Sequence, residues 1–265
     1  MSRFPLSCCI GFGFGGAAEG TDGNVWFDDF EDIGTVGANG RPRFMFSSDQ
    51  VGLPDAMTTG PDGALWFTDE SIPASIGRIA SSGAVTRYRI PTPAAGWTLA
   101  SIVGGPDGAL WFTEVPVKGG PEAIGRMTTS GHYSQFRLPL VGGKRAPTIY
   151  AEGGQITVGP DRALWFTEPL AHRIWRINMA GQLTSYSVPT DGDTDGPFGI
   201  ALGRDGALWF ATATHFGRIT TSGHVTLWRV AGAKLMSRVV RAPNGTFWVP
   251  DVNADVVFHI TPPTS

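Results

Sequence analysis

The segment GPDGALWFTD, at residues 60–69, decides the fold because close copies of it recur along the chain. The copies are GPDGALWFTE at 105–114, GPDRALWFTE at 159–168 and GRDGALWFA at 203–211, with weaker versions GTDGNVWFD at 20–28 and APNGTFWVPD at 242–251. Their tryptophans are Trp26, Trp66, Trp111, Trp165, Trp209 and Trp248, which lie 40, 45, 54, 44 and 39 residues apart. A period of about 40–45 residues indicates a repeat fold with one structural unit per copy.

Each copy of the repeat has a second part, 7 to 13 residues after its tryptophan. This part reads IGRI at 76–79, IGRM at 124–127, IWRI at 174–177 and FGRI at 216–219, with IGTV at 33–36 and VFHI at 257–260 as divergent forms. A turn and an alternating segment, such as VTRYRIP at 85–91, follow it. Four short strands joined by hairpin turns are typical of a propeller blade. The sequence therefore predicts an all-β fold, a six-bladed β-propeller of four-stranded antiparallel blades.

The two ends of the sequence predict how the propeller closes. The sixth copy contains only three strands before HITPP at 259–263, and SRFPLS at 2–7 resembles the fourth-strand sequences TRYRIP and SQFRLP. We expect residues 1–7 to supply the closing strand of the last blade, because closure removes exposed sheet edges. Residues 1–265 are then predicted to form a single domain.

Composition excludes several other classes of protein. The 265 residues include 37 Gly and 20 Pro, too many helix breakers for a helical bundle, and 42% of them are hydrophobic, too many for a disordered chain. No run of about 18 apolar residues predicts a membrane-spanning helix, and a net charge of −3 gives no basis for nucleic-acid binding. The neighbouring Cys8 and Cys9 cannot crosslink distant segments. We expect a cytoplasmic monomer without a membrane or nucleic-acid partner.

One acidic position recurs at the ends of the predicted second strands. It lies three residues after the anchor tryptophan and is occupied by Asp29, Asp69, Glu114, Glu168 and Asp251, with Thr212 in the remaining copy. These strand ends adjoin the loops between second and third strands, on the face that we call the top. A ring of carboxylates on this face predicts a site for a divalent cation such as Mg²⁺. The alternative is that these acids cap strand ends and accept hydrogen bonds from backbone amides of neighbouring blades.

The top face also holds the candidate catalytic residues. His172 and His215 are the two histidines predicted to lie in top loops, and Asp55 lies at the start of an inner strand. Imidazole and carboxylate groups are common general bases, so these three residues are the candidate bases.

Aromatic residues near the inner strands are the candidates for substrate contact. Phe198, Trp97 and Tyr150 either line a pocket on the top face or pack between blades. The recurring arginines of the third strands are predicted to pair with acids or carbonyls between blades. His259 takes the place of one of these arginines and is predicted to be a structural substitution.

The pairing of GPDGALWFTE at 105–114 with IGRMTTSG at 124–131 resembles the virginiamycin B lyase (streptogramin B lyase) family. The resemblance implies a magnesium-dependent lyase that opens a cyclic depsipeptide antibiotic at its ester bond by elimination. It also implies a His at the start of an inner strand, a Glu two residues before it, and a Glu beyond a Trp-Phe-Ala strand. At these positions the chain has Phe198, Gly196 and Ala213, and Asp55 stands at another inner-strand start. That family normally has seven blades, whereas the repeats predict six.

Two functions follow from these observations, and the sequence leaves both open. The first is a lyase-like enzyme of natural-product metabolism that acts on a cyclic or polycyclic compound by metal-assisted elimination, cyclisation or isomerisation. The second is a non-catalytic propeller that binds a ligand, a peptide or a cell-wall fragment. In both, the expected partner is a small molecule or a cyclic peptide bound on the top face.

Overall fold

A computed structural model describes residues 2–5, 16–29, 31–36, 42–91, 96–116, 122–139, 154–189 and 196–263. In this part of the chain, six four-stranded antiparallel sheets form the blades of a β-propeller, which confirms the predicted fold class. No helix among these residues is long and apolar enough to span a membrane.

The chain divides into two compact units. The first strand, β1 (Ser2–Pro5), belongs to the unit of residues 1–10 and 154–265, and residues 11–153 form the other unit. That residues 1–265 form a single domain stays a prediction.

Residues 11–153 hold blades 1 to 3. Blade 1 consists of β2 (Ala17–Glu19), β3 (Val25–Asp28), β4 (Ile33–Val36) and β5 (Pro42–Phe46). The short helix α1 (Ser48–Val51) leads to blade 2, which consists of β6 (Pro54–Thr59), β7 (Leu65–Asp69), β8 (Ser75–Ile79) and β9 (Val85–Arg89). Blade 3 consists of β10 (Trp97–Gly104), β11 (Ala109–Pro116), β12 (Ala123–Thr128) and β13 (Tyr133–Arg137).

The other unit holds blades 4 to 6. Blade 4 consists of β14 (Ile156–Val158), β15 (Leu164–Glu168), β16 (Arg173–Ile177) and β17 (Leu183–Ser187), with a 3₁₀ helix, Pro169–Ala171, after β15. Blade 5 consists of β18 (Gly199–Leu202), β19 (Leu208–Ala211), β20 (His215–Ile219) and β21 (Val225–Arg229). Blade 6 consists of β22 (Val240–Arg241), β23 (Phe247–Asp251), β24 (Val256–Ile260) and β1.

The N-terminal strand closes the last blade, as the sequence predicted. Strand β1 pairs antiparallel with β24, from Ser2 opposite His259 to Pro5 opposite Val256. Blade 6 therefore takes its fourth strand from the opposite end of the chain.

The register between second and third strands explains why the repeat has two parts. In blade 3, Trp111 lies opposite Arg126 and Phe112 lies opposite Gly125. A Cβ atom on Gly125 would lie only 2.1 Å from Cε2 of Phe112, so the phenyl ring occupies the space that glycine leaves open. The Trp and Phe of the first sequence segment are therefore the cross-strand partners of the Arg and Gly of the second segment, and the partners pack directly against one another.

The aspartate of the PDG turn joins its tryptophan and arginine within one blade. In blade 3, Asp107 accepts hydrogen bonds from Nε1 of Trp111 at 3.0 Å and from Nε of Arg126 at 2.7 Å. The guanidinium carbon of Arg126 also lies 5.8 Å from the centroid of the Trp111 ring, within range of a cation–π contact. The same hydrogen-bonded triads are Asp62–Trp66–Arg78, Asp161–Trp165–Arg176 and Asp205–Trp209–Arg218.

The predicted pairing of these arginines between blades is wrong. The register places each arginine opposite its own tryptophan and within reach of its own turn, so the ion pair forms inside the blade. The reading of His259 as a structural substitution is confirmed, because its ring stacks on Trp248 with centroids 4.2 Å apart.

Candidate functional site

The recurring acid of blade 2 is fully buried and surrounded by donors of its own blade. Asp69 Oδ1 accepts hydrogen bonds from the backbone N–H of Leu53 at 3.0 Å and from the Ser71 hydroxyl at 2.6 Å. Its other oxygen accepts from the Ser75 hydroxyl at 2.5 Å and from the Arg87 guanidinium. Burial opposes ionisation, but the hydrogen bonds outweigh it and hold the pKa of Asp69 below its ordinary value.

The recurring acids of blades 3 and 4 turn toward the outer strands of their own sheets. Glu114 accepts hydrogen bonds from the Tyr133 hydroxyl at 2.8 Å and from the Gln135 amide at 2.5 Å, both on β13. Glu168 accepts one from Nε1 of Trp175 on β16 at 2.5 Å. Burial is the largest influence on both carboxyls, and it raises the pKa of Glu168 and brings that of Glu114 to about 7.

The acids of blades 1 and 6 cap loops. Asp29 accepts a hydrogen bond from the backbone N–H of Asp32 at 2.9 Å. Asp251 is fully buried and accepts bonds from the backbone N–H groups of Lys234 at 2.7 Å and Ala254 at 2.8 Å. These contacts match the capping role that the sequence left open as an alternative, but the amides lie in the acid's own blade or in the segment before it, not in a neighbouring blade.

The donor sets around these acids do not fit a magnesium ion. Magnesium needs several carboxylate, carbonyl or water oxygens in near-octahedral geometry, and it is repelled by N–H donors at the same oxygens. Each of the five carboxylates accepts hydrogen bonds from its own blade, and three of the five turn toward third or fourth strands. Across the residues that the structure describes, no three His, Cys, Asp or Glu side chains form a group that could hold a metal ion.

The raised pKa of Glu114 predicts that this residue destabilises the fold as pH rises. Its carboxyl stays protonated in the folded state up to about pH 7, whereas in the unfolded chain it ionises near its ordinary pKa of 4.5. Folding stability is therefore lost between these two values, by up to about 3 kcal/mol. We expect Glu114→Gln to remove this loss, so that urea unfolding at about pH 5 and about pH 8 shows a smaller pH dependence than in the wild type. An unchanged pH dependence would contradict the assignment.

A second pair of carboxyl groups lies at the top of blade 2. Glu70 directly follows Asp69, and its backbone N–H donates to the carbonyl oxygen of Leu53, the residue two before Asp55. Burial, and then the negative charges of Asp55 and Asp69, raise the pKa of Glu70 to about 7. Among the described residues, no hydrogen bond to the Glu70 carboxyl is found. This carboxyl can therefore take up or release a proton near neutral pH.

The two candidate histidines lie in blades 4 and 5. His172 ends the 3₁₀ helix with φ 52°, a left-handed conformation that is uncommon outside glycine, and its buried Nδ1 has no hydrogen-bond partner in the described part of the chain. His215 is 7% exposed and its Nδ1 lies 3.0 Å from the Thr214 hydroxyl. The structure thus places them at the start of β16 and in β20, on neighbouring blades of one unit.

The aromatic candidates are less suited to contact a ligand. Trp97 is 5% exposed and packs in the hydrophobic core between blades 2 and 3, which is the packing role considered for it. Phe198 is half-buried and holds the blade 5 inner strand through its backbone. Tyr150 lies outside the described residues.

Sequence reasoning missed Glu70. The repeat pointed to Asp69 as a candidate. The structure shows that the neighbouring Glu70 is the residue whose pKa is raised to near neutral pH. A sequence signal existed, since among the six copies blade 2 alone has a second acid directly after this position. The pKa of Glu70 depends, however, first on burial and then on the charges of Asp55 and Asp69, and the repeat spacing does not reveal that burial.

The sequence pattern of the Virginiamycin B lyase family matches residues 3–154 and 144–265. The chain belongs to this family. A virginiamycin B lyase from Staphylococcus aureus, solved as a catalytically inactive histidine-to-alanine variant with quinupristin, is 28% identical to the chain with a TM-score of 0.80. That alignment covers 98% of this chain and 84% of the relative.

Two further solved structures extend the virginiamycin B lyase comparison. A streptogramin B lyase is 28% identical over 100% of this chain and 87% of its own, with a TM-score of 0.76. Regucalcin from Agrobacterium tumefaciens, a calcium-binding protein, shares the fold at 16% identity over 98% of this chain and 93% of its own, with a TM-score of 0.68. No curated protein matches the sequence.

Proposed function

We propose that this protein is a ring-opening enzyme of the virginiamycin B lyase family that acts on a cyclic or polycyclic natural product. In this proposal Glu70, next to Asp55, is the catalytic base. One observation carries it: the Glu70 carboxyl is half-buried, accepts no hydrogen bond in the described residues, and has a pKa of about 7. The structure of a relative with quinupristin supports a cyclic peptide as the class of substrate.

The reaction proposed is a β-elimination at an ester. The Glu70 carboxylate takes the proton from the carbon next to a carbonyl, and the C–H electron pair becomes a C=C bond. The ester C–O bond breaks, and its electron pair leaves with the carboxylate. No water is consumed, so the open product has the same mass as the cyclic substrate.

The surroundings of Glu70 suit the role of base. A carboxylate with a pKa of about 7 is a stronger base than an ordinary glutamate and is still half ionised at neutral pH. Proton uptake also relieves its repulsion with Asp55 and Asp69. Asp69 stays ionised because Arg87 and two hydroxyl groups hold it, so the proton goes to Glu70.

Apolar side chains next to the carboxyl pair supply contact area for such a substrate. Leu53 is 47% exposed and Ile72 is 97% exposed, on the two loops that flank Glu70. Ligand sites commonly combine an apolar surface with a few polar groups that fix orientation. No step of the proposed reaction passes through a magnesium ion, because the donor sets described above do not fit one.

The Glu70→Gln variant is expected to lose at least about 100-fold in kcat/KM, since a general base contributes roughly 10²–10⁴-fold. The wild-type rate is expected to rise with pH through about 7 and then level off, because Glu70 must be ionised to accept the proton. Quinupristin is the first probe, with the product separated by chromatography and identified by an unchanged mass.

The matched control is Glu19→Gln, the same change at an exposed glutamate of blade 1. Glu19 ends the inner strand of that blade, on the face opposite to Glu70. It is expected to leave the rate unchanged. If Glu70→Gln retains full activity while His172→Gln or His215→Gln abolishes it, the base lies in blade 4 or 5 instead. A product heavier by one water would overturn elimination in favour of hydrolysis.

A non-catalytic binding propeller is the second candidate function, and the blade 5 inner strand favours it. At the positions that the family resemblance associates with catalysis, this chain has Gly196, Phe198 and Ala213. Binding of quinupristin measured by calorimetry, with the ligand recovered intact after long incubation, would support this function over the first.

A further inference from the structure

The start of the blade 5 inner strand is clamped between blades 4 and 6. The backbone N–H of Phe198 donates to Ala211 O at 2.8 Å within blade 5. Its carbonyl oxygen accepts hydrogen bonds from Gln155 N at 3.1 Å and from the Thr167 hydroxyl at 2.6 Å, both in blade 4. The backbone of this segment has no freedom to move without breaking contacts to its neighbour.

A single side chain extends this clamp across three blades. Oε1 of Gln155 accepts hydrogen bonds from the backbone N–H of Ile200 in blade 5 and of Val239 beside blade 6, each at 3.1 Å. Its Nε2 donates to Val239 O at 3.3 Å. We name this arrangement the seam: Gln155, Gly196, Phe198, Gly199, Ile200 and Val239.

The seam leaves no room for side chains at two of its positions. A Cβ atom on Gly196 would lie 1.9 Å from the carbonyl oxygen of Pro169, which is itself buried backbone. A Cβ atom on Gly199 would lie 2.4 Å from Val239 N and 2.5 Å from Ser237 O. Backbone atoms cannot yield as a flexible side chain does, so both positions require glycine.

The position at which the family resemblance implies the second glutamate is also too buried to accept one. Ala213 is 2% exposed, and its carbonyl oxygen accepts a hydrogen bond from the backbone N–H of Met236 at 3.0 Å. A glutamate there would place a carboxylate in a buried site lined by Met236, which is fully buried and apolar.

From these contacts we infer that blade 5 carries a structural seam where the family resemblance implies a catalytic histidine and two glutamates. The close contacts at Gly196 and the burial of Ala213 leave no room for a glutamate at either acidic position, so neither position can supply a carboxylate to a magnesium ion. This inference holds for an enzyme and for a binding protein alike, and its tests are independent of Glu70.

Hydrogen exchange of the wild-type protein tests the seam without any substitution. The amides of Phe198, Ile200 and Val239 are expected to be as protected as those of the buried strand β19, because each N–H group is hydrogen-bonded within the seam or to blade 5. Magnesium chloride is expected to leave their exchange unchanged. Fast exchange at these amides, or protection that rises with magnesium, would overturn the inference.

A pair of glycine substitutions measures how tight the seam is. Gly196→Ala is expected to lower Tm by about 5 °C or more, as overpacking against backbone costs roughly 1–3 kcal/mol or more. The control is Gly104→Ala, where the nearest atom to the new Cβ is Thr59 O at an ordinary 3.5 Å. It is expected to change Tm by less than about 2 °C. Equal Tm values for the two variants would show that the seam accepts a side chain, and the inference would fail.

Discussion

Replacing Trp111 by alanine is expected to lower the free energy of unfolding by about 3–5 kcal/mol, which corresponds to a loss of roughly 10 °C in Tm. Trp111 is fully buried and stacks on Phe136 with ring centroids 5.4 Å apart. The substitution removes this packing, the contact with Arg126 and the hydrogen bond to Asp107 together. Thermal unfolding followed by circular dichroism gives the measurement.

Trp26→Ala is the matched control, because it is the same change at the same repeat position in blade 1. Trp26 is half-buried, its hydrogen bond to Asp22 is long at 3.3 Å, and Thr35 stands opposite it in place of an arginine. We expect less than half of the Trp111 effect. Equal losses for the two variants would mean that the aspartate–tryptophan–arginine triad adds no stability beyond the packing common to both blades.

Gln155→Ala is expected to lower the free energy of unfolding by about 2–5 kcal/mol, chiefly through the loss of hydrogen bonds. The change leaves the backbone N–H groups of Ile200 and Val239 without their acceptor, and both residues are buried. Each unsatisfied buried group costs roughly 1–3 kcal/mol. Urea unfolding measures the loss, and hydrogen exchange at the two amides locates it.

The control for this variant is Gln182→Ala. Gln182 is exposed and accepts one hydrogen bond, from Asn178 at 2.7 Å, within its own turn. It is expected to change stability by less than about 0.5 kcal/mol. If both variants unfold at the same urea concentration, water molecules satisfy the hydrogen bonds of Gln155 equally well. The contacts of Gln155 across three blades then add nothing to the free energy of unfolding.

The fold was readable from the sequence because its stabilising contacts are local and repeated. Trp111 and Arg126 lie opposite one another across a single hairpin, so the two parts of each copy are near in sequence although the connection between them varies in length. The strand at residues 2–5 was also predictable, since its sequence matches the fourth strands of other blades. The direction of the arginine side chains was not, because the sequence does not say which aspartate of two neighbouring blades lies closer.

The site was less predictable for a physical reason. The recurring acids occupy equivalent positions, but their environment is set by partners that differ from blade to blade. Asp69 is bonded by Arg87, Glu114 by Tyr133 and Gln135, and these partners lie on the fourth strands, where the repeat is most variable. The raised pKa of Glu70 comes first from burial and then from the charges of Asp55 and Asp69, which the pairing of β6 with β7 places close together.

The pairing of β1 with β24 has a consequence for biosynthesis. Ser2 pairs with His259, so β1 leaves the ribosome long before its partner strand β24 has been translated. At about 5–20 residues per second this delay lasts on the order of tens of seconds. Blades 1 to 5 contain all of their own strands and can assemble in the order of synthesis, whereas blade 6 is completed last. A chaperone that shields an unpaired strand edge would act on this protein chiefly in that interval.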